Sequence, residues 1–336
     1  MAKKIYQITK FKYAAVSVSV ALLVLTAVFY FALGGFNLGI DFQSGFSQTV
    51  KITDASAVTI DDVRAALSAD ASVQIVGDEA DQTFQVRLAN EDGLLEEELS
   101  GSVKDALTSE FSEVSVLQSD FVGPKYSSTL VSGSILIVIV AIALILIYIW
   151  VRFHLSFAIA AIITLVHDTF LLIGFITIFR LEVSSTTIAA LLTIIGYSLN
   201  NVIVIFDRIR ENRPLLTSMS ISGIIDTSVS QSLSRTLLSS FTTALAITPL
   251  AIFASGAIQL FAIEMVFGIL VGAYSSNLLA PVLYMWISKN KVVAKKIEQA
   301  EKAKIETVEA EETPVVQDVE IVKAERKPKG KRQQKK

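Results

Sequence analysis

Six apolar runs divide this chain, each close to the ~20 residues needed to cross the hydrocarbon of a bilayer as a helix. They lie near residues 13–33, 129–151, 156–179, 187–206, 236–253 and 259–287. The chain has 336 residues, of which 52% are hydrophobic and 18% charged. Scattered evenly, that much apolar surface could build a large soluble core. Gathered into blocks, it specifies membrane spans instead. The first run follows Lys3, Lys4, Lys10 and Lys12 and so resembles a signal sequence. Its length exceeds a signal h-region and no small-x-small cleavage site follows, so it reads as a retained span.

Lys and Arg then set the expected orientation. The N-terminal lysines, Arg152, the group Arg208, Arg210 and Arg213, and the basic residues from Lys289 onward belong on the cytoplasmic side. Arg180 alone breaks the pattern, and Glu182 beside it offsets its charge. The expected layout is a cytoplasmic N-terminus over 1–12, a first helix over 13–35, and an extracytoplasmic domain over 36–128. A five-helix membrane region over 129–288 and a disordered, charged cytoplasmic tail over 289–336 complete it. Both termini are then cytoplasmic, in a multi-pass protein of the cell membrane. The tail mixes charges without an apolar face and ends KPKGKRQQKK, which reads first as a solubilising tail, with contact to anionic lipid or ribosomal RNA as the alternative.

The 36–128 region changes period. FSQTVKI alternates as a strand and VTIDDVRAALS has helical spacing. SVQIV and QTFQVRL read as strands on either side of a turn, LLEEELSGSVKDALTSEF as a second helix, and EVSVLQ as a last strand. The order β-α-β-β-α-β predicts a ferredoxin-like α+β domain between the first and second spans. The chain has no cysteine, and this region has no histidine and no Ser-His-acid set. The sequence therefore predicts no enzyme, cofactor or metal. A peptide-binding role would use a sheet edge or an exposed apolar patch.

Polar residues inside the spans are expensive and so point to function. Asp168 lies near the middle of the third span beside His167. An isolated charge there is strongly penalised, so the acid must be protonated, paired or facing water. A proton carrier needs such a group; a neutral acid tying two helices together is the other reading. His167 projects ~100° away and reads mainly as a packing residue. Asn200 and Asn201 lie in the fourth span, which runs into the charged cluster Asp207, Arg208, Arg210, Glu211 and Arg213. Ser232, Arg235, Ser239 and Thr242 share a face of the fifth span, and depth matching places Arg235 opposite Asn201. Glu264 near the outer end of the sixth span is expected to snorkel to the interface. Gly268 and Gly272 form a small-xxx-small pair, and these two with Gly196 are expected at helix contacts.

GIDFQSG after the first span, VGP at 122–124, HD at 167–168, TTIAALLTIIGYSLN at 186–200, FDRIREN at 206–212, and LSRTLLSSFTT at 233–243 followed by VGAYSS at 271–276 occur in that order. This set resembles the SecD/SecF family of the resistance-nodulation-division superfamily, over roughly 39–288. The resemblance implies a six-span half that pairs with a SecD half. It also implies an outer domain that helps draw secreted chains from the SecYEG channel, driven by the transmembrane ion gradient. The family pattern continues SLND-T where this chain has SLNN-V, so Asn201 stands at the aspartate's position. An amide does not exchange a proton at physiological pH. Three accounts stay open: SecD supplies the essential acid, Asp168 carries more of the coupling, or the coupling is weakened. A lipid or small-molecule exporter subunit of the same superfamily and a non-conducting scaffold for SecD are the alternative functions. Proton or sodium as the coupling ion is left undecided.

Overall fold

The structure, a computed structural model, describes residues 5–53, 57–67, 71–77, 79–90 and 94–288. The charged tail expected at 289–336 lies outside the described residues. In chain order a short 3-10 turn (Ile8–Phe11) leads into α1 (Lys12–Ala32), β1 (Asn37–Leu38) and α2 (Ile40–Gln43). An inserted domain follows, comprising β2 (Gly45–Thr53), α3 (Ile60–Ala66), β3 (Ser72–Ile75), β4 (Thr83–Ala89), α4 (Glu96–Glu110) and β5 (Glu113–Val122). The rest is α5 (Pro124–Arg152), α6 (Leu155–Ile178), β6 (Glu182–Val183), α7 (Ser185–Leu215), α8 (Ile221–Phe253) and α9 (Gly256–Tyr274). A π turn (Ser275–Leu279) joins α9 to a last helical stretch that ends at Ser288. Six of these helices are long and apolar enough to cross a membrane, so the chain is a polytopic helical membrane protein.

Local chemistry fixes the helix ends. Pro124 opens α5, where its missing N–H costs nothing and its fixed φ suits the first turn. Gly256 opens α9 at φ 59°, a left-handed conformation that an L side chain rarely adopts. In α3 the Thr59 hydroxyl accepts from Asp62 N at 3.3 Å while the Asp62 carboxylate accepts from Thr59 N at 2.9 Å, a closed capping box.

Within the bundle, α6 and α7 are central. Ala160 and Ala161 on α6, Ile194 and Ile205 on α7, and Ile269 on α9 are all buried in one core. Small side chains let the backbones approach. A Cβ on Gly268 would collide with Ile194, and one on Gly272 would come within 3.2 Å of Ser198. Helix α5 is apolar on every side, with large exposed hydrophobics from Ile135 to Val151, as a helix facing lipid or another membrane protein must be.

Two helices run further than the apolar blocks predict. Helix α7 continues to Leu215 because its charges pair along the helix, Arg210 with Asp207 at 2.7 Å and Arg208 with Glu211 at 2.9 Å. Helix α8 begins at Ile221, and its polar first half is anchored by Asn212 donating to Ser228 Oγ at 2.9 Å.

The inserted domain holds a four-stranded sheet in the order β3-β4-β2-β5, every neighbouring pair antiparallel. Phe46, Val50, Ile52, Phe84 and Val86 of the sheet pack on Val63 of α3 and on Leu99, Val103 and Leu107 of α4. The alternation in β2 and β4 thus supplies one apolar sheet face, and the helical spacing in α3 and α4 supplies its cover.

Residues 37–38 and 182–183, to which the sequence pattern assigns no element, pair as a parallel two-stranded ribbon, Asn37 with Glu182 and Leu38 with Val183. Strands of two residues carry no detectable period. Arg180, the exception to the charge pattern, donates to the Leu33 and Gly35 carbonyls at 3.1 and 2.8 Å. It is held by carbonyls at the end of α1, which favour a cation.

Candidate intramembrane polar site

Four elements of the bundle bring their polar side chains together. Asp168 of α6 is 1% exposed. Its Oδ2 accepts from Ser198 Oγ of α7 at 2.5 Å and from Ser275 Oγ of the π turn at 2.7 Å. Its Oδ1 lies 2.9 Å from His167 Nδ1. The π turn is part of this geometry. Such a bulge adds a residue to one turn and shifts the register beyond it, a feature that recurs at functional sites. Here Ser275 reaches the carboxylate while Asn277, two positions on, turns to α8 and accepts from Thr236 Oγ1 at 2.9 Å. On α7, Asn201 donates to Ser240 Oγ of α8 at 3.2 Å. Asp168, Ser198, Asn201, Thr236, Ser240, Ser275 and Asn277 are all buried. Each polar group therefore needs the others.

Several sequence expectations change. His167 is buried beside Asp168, with its Nε2 lacking a hydrogen-bond partner and its ring 6.5 Å from that of Tyr274. Arg235 does not face Asn201. Ser240 does, and five positions along a helix is a turn of ~140°. Arg235 instead stands on the exposed side of α8. It lines an open groove of about 540 Å³ with Gln231, Ser234, Leu238, Ser239 and Thr242. Ser232, grouped with that stripe by spacing, is buried on another face of α8.

Glu264 does not snorkel. It is fully buried, and its Oε1 accepts from Thr187 Oγ1 at 2.9 Å, because α9 packs along α7 and encloses that face. Gly196 is not at a close contact, since a Cβ there would have nothing within 4 Å. Asn200 is exposed, one position round the helix from the buried Asn201. The charged cluster forms its own network at the end of α7. Asp207 bridges Arg210 and Arg152, the latter at 3.5 Å, and Arg208 donates to Gln231 Oε1 at 2.6 Å.

Sequence reasoning missed Thr236, Ser240, Ser275 and Asn277 as partners. The polar triplet Ser275-Ser276-Asn277 inside an apolar span was the available signal. A second missed feature lies at the inserted domain. Arg87 of β4 pairs with Glu182 of β6 at 3.0 Å, with only 7% and 12% of the two side chains exposed. Arg87 also donates to Gln74 at 2.6 Å. Burial pulls the Arg87 guanidinium down and pushes the Glu182 carboxyl up from their ordinary values, and their mutual attraction only partly offsets this. Asp41, nearby, adds to the rise at Glu182.

Comparison with known proteins agrees with this architecture. Residues 102–290 match the family described as protein export membrane protein SecD/SecF, C-terminal. The protein translocase subunit SecF of Borreliella burgdorferi is 35% identical over 274 residues, 78% of this chain and 91% of that one. The SecDF subunit of Brucella abortus is 36% identical over 264 residues, 73% of this chain and 32% of its own length. The crystal structure of SecDF from Thermus thermophilus superposes with a TM-score of 0.75 at 32% identity, covering 87% of this chain. This chain spans 39% of that SecDF chain. On the extent of the family match and the identity to SecF relatives over most of the length, the chain belongs to the SecD/SecF family of protein-export membrane proteins.

Proposed function

We propose that this chain, an accessory subunit of the Sec protein translocase, works beside a SecD half to couple export to the transmembrane ion gradient. Its role is non-catalytic: it helps secretory chains leave the SecYEG channel. The observation that carries this reading is the stripe on α8. Arg235 makes no hydrogen bond or ion pair among the described residues, yet it lies beside Ser239 and Thr242 on the exposed side of a membrane helix. A cationic, polar stripe facing lipid is costly. A partner helix presenting a carboxylate would remove that cost, and this reading gives that role to the SecD half.

Asp168 is then the acid of this subunit, and its hydrogen-bond partners come from both α7 and the π turn. A change in its proton or ion occupancy would bias the packing of three elements together, as alternating states require. We read the inserted domain as ferredoxin-like, on its strand order and its two helices packed on one sheet face, and as extracytoplasmic, on the distribution of Lys and Arg. Both termini are cytoplasmic in this reading.

Asn201 favours one second reading, a non-conducting scaffold for SecD, because its amide is fixed on Ser240 and offers no titratable group. Co-purification with SecD followed by proton flux through the reconstituted pair decides between them. In the leading reading Arg235→Leu lowers recovery of SecD, and Asp168→Asn with Arg235→Leu abolishes flux. Flux that survives loss of both side chains leaves the scaffold.

A further inference from the structure

Glu264 is fully buried with one carboxyl oxygen on Thr187, while Oε2 has no hydrogen-bond partner. Among the described residues it takes part in no ion pair. A permanent negative charge in such a place is heavily penalised, whereas a carboxyl that can hold a proton is not.

Its neighbour is a hub. The Thr187 hydroxyl oxygen accepts from Ser184 N at 3.2 Å and lies 2.9 Å from Glu264 Oε1 and 3.4 Å from the Glu182 carbonyl oxygen. A hydroxyl has one proton to give and two lone pairs. Ser184 N–H occupies one lone pair. If Glu264 is ionised, the Thr187 proton must go to it, and the Glu182 carbonyl loses its donor. If Glu264 holds a proton, it donates into the second lone pair, and the Thr187 proton is free for the Glu182 carbonyl. The two arrangements differ by one proton and by which neighbour Thr187 serves. Glu182 is the residue whose side chain holds Arg87 of the inserted domain at 3.0 Å and whose backbone pairs with Asn37 of β1.

We propose that Glu264 is a proton-binding switch for the attachment of the inserted domain. Its proton selects whether Thr187 braces the α9 carboxyl or the β6 segment that carries Glu182 to Arg87. Around it, the start of α7 offers Thr187 and, beyond it, Glu182 with Arg87 and with Asp41, which accepts from Ser185 N at 2.9 Å. The remaining cation of that segment, Arg180, is engaged by the Leu33 and Gly35 carbonyls. Residues 169–178 of α6, 236–253 of α8 and the rest of α9 up to 273 carry no titratable side chain. Glu264 is thus the one acid on these stretches of α6, α8 and α9. The inference goes beyond ion-coupled export and does not depend on it.

The test uses the purified full chain in nanodiscs. Infrared difference spectra across a pH titration should contain a protonated-carboxyl C=O band that is lost in Glu264→Gln. The chain has no cysteine, so spin labels on cysteines placed at the exposed positions Lys104 and Ser255 can follow the inserted domain against the α8–α9 turn. The label distribution should shift with the midpoint of the infrared band, and the shift should vanish in Glu264→Gln. Thr187→Val should keep the titrating band and lose the shift, separating the proton site from its transmission. A band absent at every pH, or a shift that persists in either variant, overturns the proposal. Failure of export with the label response intact counts against the export reading and leaves this one standing.

Discussion

At the scale of single residues, close approach decides what each position tolerates. Gly268 faces Ile194 where a Cβ has no room. Gly268→Ala should therefore destabilise the bundle by ~1–3 kcal/mol through overpacking. Gly196→Ala, with open space around it, should be nearly silent; thermal unfolding in detergent compares the two. Asp168 is held in the opposite way, by satisfaction rather than space. Asp168→Leu leaves the Ser198 and Ser275 hydroxyls without their buried acceptor and should cost ~1–3 kcal/mol per stranded group. Asp168→Asn keeps an acceptor and should retain most of the stability, so unfolding measured on both separates folding from ion chemistry. The glycine pair at 268 and 272 could be read from spacing. The partners of Asp168 could not, because they come from two other helices.

Among elements, the contact of β4 with β6 is the one whose energetics are unusual. Arg87 and Glu182 are both buried, and a buried pair recovers little of its desolvation cost while either charge left alone loses more. Arg87→Gln, which leaves the Glu182 carboxylate buried without its cation, should cost ~3–5 kcal/mol at neutral pH, whereas Glu182→Gln, which resembles the neutral form that burial favours, should cost less, and the double substitution less than the sum. A double-mutant cycle on denaturation of the inserted domain reads this directly. The pH sign also follows. Glu182 holds its proton more tightly folded than unfolded, because burial raises its carboxyl above the ordinary 4.5. Its contribution is complete below 4.5 and is lost as pH rises through the raised folded value, so acidification over that window favours the folded state. In a variant with Glu182→Gln, unfolding followed across that window should show a flatter dependence on pH. Helix and strand identity in the inserted domain was legible from period alone. The β1–β6 ribbon and the π turn were not, since two-residue strands have no period and a π turn has the composition of the helix around it.

For the whole molecule, the exposed stripe on α8 and the apolar exterior of α5 fit the pairing with a SecD half proposed above. Asn201 bears on how that larger assembly couples to an ion gradient. Asn201→Asp places a carboxylate beside Ser240, at the point where α7 meets α8. If SecD supplies the essential acid, gradient-dependent secretion should change less than about twofold, well under the ~1.4 kcal/mol that a tenfold change represents. If export is restored from an inactive state, coupling in the present chain is weakened. If the substitution removes the dependence of export on Asp168, then Asp168 has carried the coupling alone.

The class of the molecule is legible along the chain. Six apolar runs, the partition of Lys and Arg, the alternation in 36–128 and the motif order are properties of neighbouring residues, and neighbouring residues set length, period and charge. The polar partnerships depend on how the helices pack. Arg235 and Asn201 were matched by depth, but rotation about α8 put Ser240 at Asn201 and turned Arg235 outward. Glu264 was assigned to the interface by its distance from the span end, but α9 packs against α7 and buries it on Thr187. Depth follows from counting along one chain, while azimuth and burial depend on which helix lies alongside.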